Sequence, residues 1–193
     1  MHCDEHDVAS SFSGDCQWWA RAILSSMIQM ACYRKATIKA INILLDDEDA
    51  LVSSRVAMGL RYLPKKELHP LLPRIYEQSF KLPEGNVMFA NKLRVSCAET
   101  LAHLNLEEGV IASTALLADL GWGKNARLPH AAKLVVKYEG QAKEHLGPLR
   151  EAAEKLNQGG DKKWWKLIME TIEIVEEAKE PKTKLKTIEE LTR

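Results

Sequence analysis

The chain has 193 residues, 46% of them hydrophobic, and 27 Lys+Arg balance 27 Asp+Glu, so the formal net charge is zero. That length and apolar content suffice for one packed domain and exclude disorder throughout, while neutrality excludes a strong overall pull toward nucleic acid or an anionic membrane. Charge is uneven along the chain: residues 1–50 hold 8 acids and 4 bases, and residues 51–100 hold 4 acids and 8 bases, which makes the middle mildly basic. Cys3, Cys16, Cys32 and Cys97 are scattered without the spacing of a disulfide framework. The head MHCDEHD lacks the basic and apolar regions of a signal peptide, and no stretch approaches a membrane span. The expectation is a soluble, cytoplasmic protein with no membrane contact.

In chain order, a flexible head over 1–14 precedes helices predicted near 15–32, 36–45, 49–63, 67–80, 90–104, 107–120, 125–138, 143–157 and 162–179, followed by a charged, frayed tail over 180–193. Apolar residues recur at steps of three and four almost throughout, and alternating β-branched runs are absent, so the class is all-α. Asp46-Asp47-Glu48, Pro64, Lys81-Leu82-Pro83-Glu84-Gly85, Gly121-Trp122-Gly123 and Gly159-Gly160 punctuate the pattern. Such short connections favour antiparallel neighbours.

Internal similarity is the most informative feature. The helix Ser53-Ser54-Arg55-Val56-Ala57-Met58-Gly59-Leu60 aligns with Arg94-Val95-Ser96-Cys97-Ala98-Glu99-Thr100-Leu101 and with Arg127-Leu128-Pro129-His130-Ala131-Ala132-Lys133-Leu134. Each copy places a small residue, Ala57, Ala98 or Ala131, three positions before a leucine. A small residue there lets neighbouring helices approach closely. Between these copies lie helices of another type, notably Leu68-His69-Pro70-Leu71-Leu72-Pro73-Arg74-Ile75.

This alternation resembles HEAT repeats, whose first helix often reads Leu-x-Pro-Leu-Leu-x-x-Ile and whose second carries an arginine ahead of an Ala and Leu ladder. The resemblance covers roughly residues 36–157, and its best copy runs from Leu68 to Leu104. The sequence departs from it at Ser53, which replaces the arginine, at Pro129, and in the longer connection between Lys81 and Phe89. The resemblance implies a short α-solenoid of about four antiparallel helix pairs over 15–179, built to bind a partner on a helix-lined surface. The alternative is an irregular helical bundle.

Chemistry is harder to find. His2, Cys3, His6 and Cys16 are competent zinc ligands but lack the paired spacing of a zinc site, so no metal is expected. Cys16, at a predicted helix start beside Trp18 and Trp19, has the dipole environment of a nucleophile, yet no strand presents a histidine to it. Cys97 and Cys32 read as small core residues, His69 and His145 as lying near helix starts, and His103 and His130 as partly packed. In Asp119-Leu120-Gly121-Trp122-Gly123, Gly121 reads as a helix C-cap with Trp122 covering the turn.

The same segment supplies a sharper alternative, because some HEAT-fold DNA glycosylases use a carboxylate beside aromatic residues on a basic face. Under that resemblance Asp119 and Trp122 would be catalytic, with Arg94 and Arg127 on phosphates, although net neutrality argues against it. The leading expectation is a non-catalytic interaction or scaffold module that needs no cofactor and binds a protein partner, with Arg55, Arg61, Arg94 and Arg127 as candidate partner-binding residues. Nucleic acid is the secondary partner class, through the basic middle.

Overall fold

A computed structural model of the protein describes residues 34–82, 87–179, 181 and 183–193, which hold ten α-helices and no β-strand. The helices are α1 (Arg34–Leu44), α2 (Ala50–Leu60), α3 (Lys65–Leu68), α4 (Leu72–Gln78), α5 (Val87–His103), α6 (Glu107–Ala118), α7 (Lys124–Lys137), α8 (Gly147–Gln158), α9 (Lys162–Glu177) and α10 (Ile188–Thr192). Two 3-10 turns, His69–Leu71 and Glu139–His145, lead into α4 and α8. The helix predicted over 15–32 and the zinc and thiol candidates His2, Cys3, His6 and Cys16 lie outside the described residues. Among the described residues no helix is long and apolar enough to cross a membrane.

Local chemistry accounts for several boundaries. The Asp49 side chain accepts from the Leu51 amide at 2.8 Å and caps α2. The single helix predicted over 67–80 is divided into α3, a 3-10 turn and α4. Pro70 and Pro73 lack the N–H an α-helix needs and would press on the carbonyl four residues back. Pro129 is instead tolerated inside α7. Asn105, at φ 57°, ends α5 with Leu106 N–H donating to the Leu101 carbonyl and Asn105 N–H to that of Ala102, a double closure usually reserved for glycine.

Helices pair through short connections: α1 with α2, α4 with α5, α6 with α7, α8 with α9. Across pairs, α2 packs on α5, α5 on α7 and α7 on α9, while α4 packs on α6 and α6 on α8. One continuous apolar cluster runs from Ile41 to Ile188. It contains the aligned positions Ala57, Leu60, Ala98, Leu101 and Ala131, with Leu134 partly buried against it. Gly109 marks a close approach, since a Cβ there would lie 2.1 Å from the Tyr138 hydroxyl and 2.9 Å from the Leu101 backbone.

The charged tail is not frayed. Residues 183–193 lie back on the helix pairs, with Leu185 and Ile188 buried and α10 closed by a reciprocal cap between Thr187 and Glu190. Glu190 N–H donates to Thr187 Oγ1 at 3.2 Å, and Thr187 N–H donates to Glu190 Oε2 at 2.9 Å.

Candidate functional site

Four of the residues singled out in the sequence, Arg94, Asp119, Trp122 and Arg127, converge on one place, the connection between α6 and α7. Asp119 follows α6 directly, and its Oδ1 accepts from the Gly121 amide at 2.9 Å, fixing the turn. Gly123, at φ 79°, then starts α7, which puts Arg127 one turn into the helix. Left-handed backbone is needed at Gly123 rather than Gly121, so the helix ends at Asp119 and the glycine's work is to begin the next helix.

Arg127 is 1% exposed and Arg94 is 4% exposed. Arg127 donates from Nη1 to Asn91 Oδ1 at 2.7 Å and to the Trp122 carbonyl at 3.0 Å, from Nη2 to the Asp119 carbonyl at 2.5 Å, and from Nε to the Leu116 carbonyl at 3.3 Å. Its Nη2 also lies 3.3 Å from Asp119 Oδ1. Arg94 reaches across from the preceding pair, donating from Nη1 to Asp119 Oδ2 at 2.8 Å and from Nε to the Ser79 carbonyl at 3.4 Å. Asn91 completes the set by donating to the Trp122 carbonyl at 3.3 Å. Two guanidiniums, one carboxylate and one amide therefore join α5, α6 and α7, and Arg127 satisfies the Leu116 carbonyl in the last turn of α6 together with the Asp119 and Trp122 carbonyls beyond it.

Burial pushes the Asp119 carboxyl up. The Arg94 hydrogen bond, the Gly121 amide and the charges of Arg127 and Arg94 outweigh it and hold the group below the ordinary carboxylate value. Asp119 is thus an ionised acceptor with both oxygens engaged. A general acid or base needs a carboxyl near neutrality with a free lone pair or proton. Trp122 is 78% exposed and does not cover the turn as expected. A hollow of about 530 Å³ beside it is lined only by the consecutive residues 120–125, the loop and the start of α7.

The cluster belongs to a series of polar ties along the same edge. Asp46, after α1, accepts from Gln78 Nε2 at 2.6 Å and pairs with Arg74, both on the next pair's α4. Lys124 donates to Asp161 Oδ2 at 2.6 Å, ahead of α9. Ser53, aligned with the two arginines, bonds only backbone carbonyls of its own helix start, and Gln78 and Arg74 take the partner role from the neighbouring pair.

The remaining candidates are dispersed. Arg55 and Arg61 are exposed on and just after α2, with Arg61 Nη2 donating to the Tyr62 hydroxyl at 3.0 Å. Arg94 and Arg127, expected on a partner-facing surface, are buried because their donors close the interior of the fold. His103 and His130 are exposed rather than partly packed. Cys97 is fully buried, and burial pushes its thiol far up, out of the reactive range.

What these observations define is an all-helical protein of consecutive helix pairs tied along one edge by polar contacts, with the two arginines of the central tie buried. The chain matches no known protein family, and no curated protein or solved structure matches it.

Proposed function

We propose that the chain is a HEAT-like helical-repeat module, a short stack of helix pairs that binds a protein partner and carries no catalytic centre of its own. The observation that supports it is the contact order, in which second helices α2, α5, α7 and α9 follow one another and first helices α4, α6 and α8 run beside them. Stacked pairs of this kind bury a continuous core and leave helix-lined surface for recognition. The arginines at the aligned positions act within the stack, so the partner surface is assigned to the exposed cations instead. Arg55, Arg61, Lys65 and Lys66 project from α2 and the start of the next pair, which suits an acidic partner segment. The glycosylase-type reading is not carried forward, because Asp119, Arg94 and Arg127 are all engaged with one another.

Affinity capture from native lysate with the wild-type chain and with Arg55→Glu/Arg61→Glu tests this. A stoichiometric partner retained by the wild type and lost by the charge reversal is expected. Failure to recover any reproducible partner overturns the reading.

A further inference from the structure

Opposite the polar ties, the connections between successive pairs form a second edge, and the C-terminal segment lies across it. Gln141, in the turn leading to α8, donates from Nε2 to the Thr183 carbonyl at 2.8 Å. Further on, Lys186 pairs with Leu106 in an isolated parallel bridge, and the Glu107 amide donates to the Lys186 carbonyl at 3.0 Å. The Ile188 amide then donates to Glu108 Oε1 at 2.9 Å, and α10 ends against the 3-10 turn His69–Leu71. One short segment therefore touches three successive pairs. Its anchors are evenly spaced: Leu185 and Ile188 are each 8% exposed, and Leu191 packs on the core cluster.

This is how linear peptides are recognised elsewhere, by main-chain pairing for affinity and apolar anchors at fixed spacing for selectivity. The seat is not fully satisfied by its present occupant. Glu108 accepts from the Ile188 amide through Oε1, and its Oε2 is buried with no hydrogen-bond partner among the described residues. Groups left in that condition cost stability, and a segment offering one more donor would bind better than the one in place.

We propose that the edge lined by Leu106, Glu107, Glu108 and Gln141 is a docking site for linear peptides of the pattern Leu-x-x-Ile-x-x-Leu, and that the chain's own residues 183–193 occupy it as an intramolecular competitor. The partner is a protein segment that enters extended and closes in a helical turn, as the C-terminal segment does. This rests on the interaction-module reading but concerns a different edge from Arg55 and Arg61. Lysate capture can therefore succeed while peptide binding fails, and the reverse.

The test is fluorescence anisotropy of a labelled peptide with the sequence of residues 183–193, titrated with the full wild-type chain and with full-length Leu185→Asp/Ile188→Asp. A tethered segment competes at an effective concentration of about 1 mM, so the peptide is expected to bind the variant at least ~10-fold more tightly than the wild type. The same peptide with aspartate at both anchor positions is expected to bind neither. Equal binding to both chains, or none to a variant that retains its helical circular dichroism, overturns the proposal. Should the variant lose its helical signal, hydrogen exchange on the wild-type chain decides. With about 1 mM free peptide, exchange in residues 183–193 is expected to rise while residues 104–110 stay protected. An unchanged tail overturns the proposal.

Discussion

The two edges formed by the ends of the helix pairs solve the same problem by opposite means. At both, helix ends present carbonyls and amides that need partners, and consecutive pairs must be held in register. The edge carrying Asp46, Asp119 and Asp161 does this with side chains rooted in the helices themselves, and its centre is buried. The opposite edge borrows a separate segment, residues 183–193, held by three hydrogen bonds to the pairs and three apolar anchors. The first arrangement cannot be released without unfolding the pairs. The second is the one proposed above to exchange with a peptide.

The largest expected effect lies on the rooted edge. Arg127→Ala removes the donor of Asn91 Oδ1 and of the Leu116 and Asp119 carbonyls, while the Trp122 carbonyl keeps Asn91 and the Asp119 carboxylate keeps Arg94 and the Gly121 amide. It should destabilise the chain by about 3–5 kcal/mol, as removal of one member of a buried ion pair does. Chemical denaturation measures this, and a loss near zero would mean that the corner is not buried as described. On the borrowed edge, Ile188→Ala should cost about 2–3 kcal/mol locally. Hydrogen exchange should then accelerate in residues 183–193 and not in α5 or α7. Global acceleration would erase the distinction between the edges.

A third prediction concerns pH. Asp119 has a folded pKa below its unfolded value, so its contribution is fully present above the unfolded value of about 4 and is lost as pH falls through the folded one. Asp119→Asn should cost about 1–2 kcal/mol at neutral pH, through loss of charge-assisted hydrogen bonds. Melting curves of variant and wild type should converge once the pH is below the folded value. A gap that persists in acid would remove the carboxylate from the account.

Smaller effects sharpen the comparison. Burial, and then the negative charge of Glu108, push the Tyr138 phenol up, so it stays a neutral hydroxyl without an acceptor at any ordinary pH. Tyr138→Phe should be neutral or stabilising by up to about 1 kcal/mol, since it removes a buried group that has no partner. Trp122→Ala, at a side chain largely in solvent, should stay within about 0.5 kcal/mol in the same denaturation assay.

Much of the polar edge was legible in the sequence without being read as such. Arg94 and Arg127 fall at the same aligned position, ahead of Ala98 and Ala131, and Asp46 and Asp119 each precede a second helix. An isolated arginine on a helix is ordinarily a solvated cation, and nothing local says that an aspartate about eight or twenty-five residues away will meet it. Ser53 carried a further signal, since the copy without arginine had to find its tie elsewhere and took it from Gln78 and Arg74. The tail signalled itself through Thr187-x-x-Glu190, a helix-start pattern, and through Leu185, Ile188 and Leu191 at even spacing. Its surrounding lysines and glutamates pointed to a solvated end instead.

The sequence by itself determined the all-helical class and several of the helix limits, because apolar period, the Asp49 cap and prolines act within a few residues of themselves. Asp49 at the start of α2 and the break at Pro70 and Pro73 follow from such short-range chemistry. Tertiary structure alone decided what the polar residues are for. Burial converts Arg94, Arg127 and Asp119 from surface charges into internal ties, and the return of residues 183–193 across three helix pairs depends on contacts about 80 residues apart in the chain, as between Glu108 and Ile188. Local sequence constrains the conformation of each segment and leaves the partner of each segment to the packing of the whole.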